Sequence, residues 1–302
     1  MKLSGFTFIR NAVQFDYPVV ESISSVLPIV DEFIVNVGPD DDGTLDLIRS
    51  IHSPKVRIIQ SQWNPNLKVG GYIYSQQTNI ALFNCVGKWA VYLQADEVIH
   101  EDDLPIIMEY VDRYIDEDRI EGLALHELTF WGDYKTIVNV YPWRHSRRCW
   151  VVKPHKFVMS RGDAADFCVL PKYKEHGRYI RVVDTPARVF HYSFVKSEKA
   201  LRAKCRGVLG YWSELYTEEQ VRAIEPNLYS ELPREFVEPY TDSHPAVMDE
   251  RIRKHPIALD LSARLWTKRL TLRDRRRWLK TQLIARLDDR FFGRGSYTLV
   301  KP

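Results

Sequence analysis

The sequence predicts an α/β fold built from βαβ units, and three observations carry that reading. In the first hundred residues, short apolar runs alternate with stretches whose apolar residues recur at helical spacing. Such alternation lays strands parallel to one another with helices covering both faces of the sheet. The apolar runs end abruptly in polar residues, as strands do where they open onto a ligand crevice. At 302 residues, 45% of them hydrophobic, the chain is also long enough to bury such a core.

Residues 3–9 (LSGFTFI) form the first strand-like run. Pro18 stands near a helix start, and Val19, Val20, Ile23, Val26 and Leu27 follow at helical spacing. Phe33-Ile34-Val35-Asn36-Val37 reads as a second buried strand, closed by the acidic turn Gly38-Pro39-Asp40-Asp41-Asp42-Gly43. Helical spacing resumes from Thr44 with Leu45, Leu47, Ile48 and Ile51; residues 55–59 are a third strand, 72–85 a helix and 89–93 a fourth strand. A helix over about 103–117 and a strand over 122–128 come next. Residues 129–192, rich in Trp, His and Arg, read as the mixed, antiparallel half of the same domain. The pattern is helical from 196, Pro-rich and loop-like over 225–256, and helical again from 259. The expected organisation is a domain over residues 1–215 and a helical, basic extension over 216–302.

Charge is uneven along the chain. Residues 251–302 hold 15 Lys and Arg against 4 Asp and Glu, whereas residues 1–250 hold 28 against 36. A basic tail on an acidic body suits contact with something anionic, either the body itself or a membrane surface. Leu279, Leu283, Leu287 and Phe291 fall at helical spacing beside Arg273, Arg275, Arg276, Arg277, Lys280 and Arg286, with Trp266 and Trp278 nearby. That pattern fits peripheral membrane contact or packing on the body, and it lacks the module expected of a nucleic-acid binder. The four cysteines form no C-x-x-C pair, which argues against a zinc knuckle. The opening MKLSGFTFIRNA reads as a strand rather than a signal peptide, and no run has the apolar length of a spanning helix. A cytoplasmic protein is expected.

The strongest chemical signal is Val91-Tyr92-Leu93-Gln94-Ala95-Asp96-Glu97, an apolar strand running into paired carboxylates. A carboxylate there can bind Mg²⁺ or Mn²⁺ while substrate phosphates fill the other positions. The same pair also suits a helix start, and the residues alone leave both readings open. The acidic turn after the second strand can accept hydrogen bonds from a base or ribose, or can be a solvated turn with Asp42 capping the next helix.

Taken in order, FIRN, a strand with an acidic turn and Gly-Thr, Gln-Thr-Asn on a helix, and a strand ending in QADE resemble family 2 glycosyltransferases of the GT-A fold. The likeness is to a bacterial branch carrying Gln-Gly-Asp-Glu in place of the usual Asp-x-Asp, and it runs from about Gly5 to about Trp212. The resemblance implies a Rossmann-like mixed sheet flanked by helices, with a helical C-terminal extension. It implies a nucleotide-sugar site of Arg10, Asn11, Asn36 or Asp41, Asn79, Gln94, Asp96 and Glu97. It makes Asp96 a metal ligand and His191, in Val-Phe-His-Tyr-Ser-Phe-Val, the candidate partner ligand; Gln94 replaces the first Asp and carries no charge. His126, His145, His155 and His176 lack metal spacing. Ser160 to Phe167 resembles the branch's Arg-Asp-Ala-Gln-Gly-Phe stretch and offers Asp163 as general base, with Asp166 and Asp133 as weaker choices. Phe130 to Tyr134 resembles an acceptor-side stretch in which Trp131 and Asp133 face the acceptor; Trp131 and Trp143 suit sugar stacking or plain packing equally.

The activity so implied is an inverting, divalent-metal-dependent transfer of a sugar from a UDP- or GDP-sugar to a glycan or lipid-linked acceptor, in cell-surface glycan or polysaccharide synthesis. Two other readings compete. A catalytically inactive sugar-nucleotide binding protein fits the uncharged Gln94. A nucleotidyltransferase would need a Gly-rich, basic loop after the first strand, where this chain has Arg10-Asn11-Ala12-Val13.

Overall fold

A computed structural model describes residues 1–300 apart from 40, 141–142, 144–145, 171–176, 263–264 and 287–296. Asp40, His145, His176, Leu287 and Phe291 therefore lie outside the described residues. The chain runs β1 (Leu3–Ile9), α1 (Val19–Val26), β2 (Glu32–Val37), α2 (Thr44–Arg49), β3 (Val56–Gln60), α3 (Tyr72–Leu82), β4 (Trp89–Tyr92) and β5 (Glu97–Ile99). It continues through α4 (Leu104–Arg113), β6 (Gly122–Trp131), β7 (Thr136–Val138), β8 (Arg147–Val152), β9 (Val158–Arg161), β10 (Asp166–Val169) and β11 (Arg178–Phe194). The remaining elements are α5 (Glu198–Leu209), α6 (Glu218–Arg222), α7 (Leu228–Glu231), β12 (Val237–Pro239), α8 (Asp249–Lys254), α9 (Leu272–Arg286) and β13 (Tyr297–Leu299).

The main sheet has the order β3-β2-β1-β4-β8-β6-β11-β10-β9. β3, β2, β1 and β4 are parallel neighbours, as the alternating pattern predicts. β8 is antiparallel to both β4 and β6, which makes the sheet mixed, and β11 returns parallel to β6. This is the Rossmann-like mixed sheet flanked by helices expected from the sequence.

Successive strand residues point to opposite faces, and the core divides accordingly. On β2 and β4, Phe33, Val35, Trp89 and Val91 join one cluster with Ile23 of α1 and Ile107 of α4. Ile34, Ala90 and Tyr92 join the other with Ala81 and Leu82 of α3. Both faces are dry, so these strands read as continuous apolar runs rather than as alternating ones. β11 shifts register against β6 between Asp184 and Arg188, where Pro186 lacks the N–H a ladder needs. Past that irregularity β11 pairs antiparallel with β5, setting His191 opposite Glu97.

Beyond residue 215 the chain packs against the sheet. Met248 shares a cluster with Phe130, Tyr134, Phe190 and Tyr192, while Phe236, Val237 and Trp266 share another with Trp131, Val138 and Val140. β12 pairs with β7, and β13 adds in parallel to β11. The helix expected from 259 begins later, at Leu272. Residues 259 and 260 are held otherwise: the Leu259 N–H donates to Asp133 Oδ2 at 2.9 Å, and the Trp266 indole donates to the Asp260 carbonyl at 3.1 Å. Reciprocal hydrogen bonds between Thr271 and Asp274 then cap α9. Arg277 lies over the Trp143 ring at 4.6 Å, and Thr281 is buried. No helix among the described residues is long and apolar enough to cross a membrane.

Because Phe236 and Met248 are fully buried against the body, Phe236→Ala and Met248→Ala should each cost about 2–5 kcal/mol. Urea unfolding of either variant is expected to show one transition, shifted as a whole. A second, separate transition for the C-terminal part would contradict the shared core.

Candidate active site

A cavity of about 480 Å³ opens at the carboxyl ends of β1 and β4. Ligands of open α/β sheets bind at that edge. Its lining brings together Arg10 and Asn11 after β1, Gln94 and Asp96 after β4, His191 on β11, and Arg148 on β8. Asp163 comes from the β9–β10 turn and Lys204 from α5. Asn11 has φ 56°, a left-handed conformation that asparagine tolerates better than most residues.

One wall is aromatic. Phe8 stacks on Tyr74 at 5.8 Å, Trp63 meets Tyr74 and Tyr211 at 5.8 Å each, and Tyr74 meets Trp212 at 5.8 Å. The Arg10 guanidinium lies 5.5 Å from the Trp63 ring centre and donates to the Tyr211 hydroxyl at 3.1 Å. Arg10 Nε and Trp63 Nε1 are buried donors with no acceptor among the described residues. Orphaned donors of this kind call for a ligand or water to accept from them.

The polar centre of the site is Asp96, only 4% exposed. Its backbone carbonyl accepts from the Tyr192 N–H at 2.8 Å, tying the QADE loop to β11. Lys204 Nζ donates to Asp96 Oδ2 at 2.8 Å, while Asp96 Oδ1 lies 3.7 Å from His191 Nε2. Burial by itself would raise the Asp96 pKa, but Lys204, His191 and Lys196 overcome it and hold the carboxyl well below the usual carboxylate range. His191 Nδ1 faces Glu127 Oε1 at 2.9 Å, and Glu127 Oε2 meets Arg148 at 3.1 Å. Burial opposes ionisation of Glu127 as well, yet Arg148 and His191 draw it down to about 2. His191 is raised above the ordinary histidine value: burial would lower it, and Glu127 and Asp96 outweigh that. Glu97 turns away from the cavity, accepting from the Gln94 N–H at 2.8 Å and the Trp150 indole at 2.9 Å, and burial pushes it up to about 7.

The residues fit a divalent cation. Asp96 Oδ1 and His191 Nε2 are close enough for one ion to touch both. A carboxylate on the far nitrogen of a histidine is the arrangement that orients a metal-binding imidazole, and Glu127 supplies it. No group of three or more His, Cys, Asp or Glu among the described residues is placed to hold an ion by itself. Two protein ligands completed by substrate phosphates and water is the usual manner of Mg²⁺ at phosphate sites.

Other residues picked out in the sequence, Asp163 apart, do not line the cavity. The Asn36 amide donates to the Gln77 carbonyl and to Gln77 Oε1, each at 2.9 Å, inside the core. Asp41 is exposed; its neighbour Asp42 accepts from the Thr44 N–H at 3.1 Å and from the Gln14 N–H at 2.8 Å, joining the acidic turn to the loop after β1, while Gly43 rather than Asp42 occupies the cap position of α2. Asn79 ties α3 to β9 through a reciprocal pair with the Ser160 backbone at 2.7 and 2.9 Å. Trp131 packs on Phe194 with ring centres 4.3 Å apart. Asp133 accepts from the Lys135 and Leu259 N–H groups at 2.9 Å each. Asp166 pairs in register with Arg161 at the base of the turn whose tip carries Asp163. Asp163 itself is exposed at the rim of the cavity, and Gly71 lets it approach there. A Cβ on Gly71 would come within 2.9 Å of the Asp163 Cβ and 2.7 Å of the Trp212 ring, at a φ of +63° that favours glycine.

Glu127, Arg148 and Lys204 escaped the sequence reading. A charge inside the apolar run Leu123 to Phe130 was a usable signal for Glu127. Nothing in the pattern of α5 separates Lys204 from its charged neighbours, because its role comes from contacts with distant segments.

No family model and no curated protein matches the chain. Solved structures that resemble it include S. aureus TarS 1–349, at 16% identity and a TM-score of 0.35, covering 52% of this chain and 48% of that one. The same TarS segment in complex with UDP-GlcNAc gives 18% identity and a TM-score of 0.35, covering 54% and 49%. Glucosyl-3-phosphoglycerate synthase from Mycobacterium tuberculosis, in complex with Mn²⁺, UDP and phosphoglyceric acid, gives 18% and 0.30, covering 42% and 43%. The match thus spans about half or less of each of these chains. The functional reading rests on the chemistry of the site.

Beside the cavity, Lys196 is 3% exposed, donates to the Phe15 carbonyl at 2.8 Å and lies over the Tyr17 ring at 4.6 Å. Burial, with Lys204 and Arg251 adding repulsion, lowers its pKa from 10.5 to about 7 against the pull of Asp96 and Asp16. Between those two values the unfolded chain holds a proton that the folded chain lacks, so stability rises with pH across that window. Wild-type protein should gain stability relative to Lys196→Met, by a few kcal/mol in total, as pH rises from 7 toward 10. Urea midpoints of both proteins at pH 7 and 9 read this, and an unchanging difference would contradict a buried, strained ammonium.

Proposed function

We propose that the chain is an inverting glycosyltransferase of the family 2, GT-A type that moves a hexose from a nucleoside diphosphate to an acceptor hydroxyl in cell-surface glycan synthesis. One observation carries the reading: a cavity at the strand ends sets Asp96 and His191 side by side among Arg10, Arg148 and Lys204. That is a site for a diphosphate and a divalent ion, walled by rings that can stack on a base or a sugar.

In the reaction the acceptor oxygen forms a bond to the anomeric carbon as the bond from that carbon to the diphosphate oxygen breaks. The electron pair leaves with the nucleoside diphosphate. The acceptor proton passes to a base on the opposite face of the sugar, and Asp163 at the cavity rim takes that role. Negative charge grows on the departing diphosphate, where Arg10 offers an Nε–H that has no acceptor among the described residues and a planar fork matched to phosphate. A divalent ion held by Asp96 and His191 would supply Lewis-acid neutralisation of the same charge when bound. Asp163 stands at the exposed rim of the cavity, where the missing Cβ of Gly71 leaves room for it, and that position suits access by an acceptor.

Turnover of UDP-GlcNAc, UDP-Glc and GDP-sugars, followed as nucleoside diphosphate release with Mn²⁺, tests the reading. Asp163→Asn should cut turnover by about 10²–10⁴ and leave nucleotide affinity nearly unchanged. A full-rate Asp163→Asn enzyme would remove Asp163 as base. Failure to bind any nucleoside diphosphate would remove the donor assignment altogether.

The acceptor side of the proposal is a lipid-linked or surface polymer reached from the inner face of a membrane. α9 presents Leu272, Trp278, Leu279 and Leu283 to solvent beside Arg273, Arg275, Arg276 and Lys280. Apolar and cationic groups together suit an anionic bilayer. The full chain is expected to float with liposomes containing an anionic lipid, and a Leu279→Glu, Leu283→Glu variant to stay in the soluble fraction. Equal behaviour of the two would refute the membrane contact.

A further inference from the structure

Lys204 is built into the cavity from several directions at once. It stands on α5, whose start is capped by the Ser197 hydroxyl accepting from the Ala200 N–H at 3.2 Å. One turn farther on, Gly207 presses on the loop after β1 so closely that a Cβ there would lie 2.4 Å from the Phe15 ring. The ammonium donates to Asp96 Oδ2 at 2.8 Å and to the Ser193 hydroxyl, and it sits 5.1 Å from the Tyr17 ring centre. Its side chain is 14% exposed, and that exposure is to the cavity.

The Lys204–Asp96 pair is neutral in itself, but the cavity around it is not. The lining presents Arg10, Arg148, Lys204 and His191 against Asp96 and Asp163, with Glu127 behind it answering Arg148 and His191, and the buried donors Arg10 Nε and Trp63 Nε1 have no acceptor among the described residues. A lining with more cations than anions and with unused donors is shaped for a polyanion. A lysine ammonium on a four-carbon stem has three donors that can turn from one acceptor to another without moving the helix.

Building on the donor reading above, we propose that Lys204 is a ligand of the donor diphosphate. In the free protein Asp96 and Ser193 hold its ammonium at the cavity edge. When the nucleotide enters, the ammonium bonds to the diphosphate oxygens and neutralises part of their charge. Nucleoside diphosphate binding therefore persists when divalent cations are removed, because a tethered cation belongs to the chain itself.

Calorimetric titration of the full chain with UDP and GDP, in EDTA and in Mn²⁺, tests this, with UMP as the monophosphate control. Wild-type protein should bind UDP or GDP in EDTA. Lys204→Met should weaken that binding by about 10- to 100-fold, the worth of a charge-assisted hydrogen bond, while UMP affinity changes far less. Lys204→Arg should retain most of the affinity. Because Lys204→Met leaves a buried carboxylate unpaired, Asp96→Asn is compared with Asp96→Asn, Lys204→Met, and the same loss is expected between those two. A folded Lys204→Met that binds the diphosphate in EDTA as tightly as wild type would overturn the proposal, as would equal affinities in the Asp96→Asn pair. Wild-type binding that appears only with Mn²⁺ would overturn it and leave the donor reading standing. No binding in either condition would remove both.

Discussion

The site depends on keeping one nearly buried carboxylate charged. Asp96 is 4% exposed, and a buried charge stays ionised only with partners in good geometry. Three separate segments supply them: the β11 backbone fixes the Asp96 carbonyl, His191 on β11 faces one carboxylate oxygen, and Lys204 on α5 holds the other. Removing one partner of such a pair typically costs about 3–5 kcal/mol. The buried Glu127 in turn answers the charge on His191.

Two consequences reach beyond Asp96. Lys196, a second buried cation near the same carboxylate, is held at a stability cost near neutral pH. Strain of this kind concentrates at functional sites and is tolerated because the surrounding packing is strong. That packing includes the chain after residue 215. Met248 and Phe236 fill the same clusters as Phe130, Tyr192 and Trp131 of the sheet, so the C-terminal part supports the end of β11 on which His191 lies.

The parallel half of the sheet was legible from residues alone. β1 to β4 are buried on both faces, and a two-sided core writes itself as short apolar runs. The end of β4 was legible for the same reason, since the apolar run stops at Gln94, two residues before Asp96. The other half of the site comes from pairing over long sequence distances. β5 is three residues long, and β11 is seventeen residues broken by Pro186 and studded with Arg, Asp and His, so neither has a clean period. Their antiparallel register, which brings His191 to Glu97, has no local signature. Lys204 shows the limit most clearly, because it reaches Asp96 from 108 residues away. Asn36 and Asn79 show what the sequence leaves out, since their amides join strand and helix through backbone groups 41 and 81 residues away.

The most direct test of the account is a crystal structure of the full chain soaked with a nucleoside diphosphate and Mn²⁺. The account requires the diphosphate in the cavity at the ends of β1 and β4, touching Arg10 and Lys204, with the ion between Asp96 and His191. A nucleotide bound at another surface, or Asp96 still closed onto Lys204 with the cavity empty at saturating ligand, would contradict it.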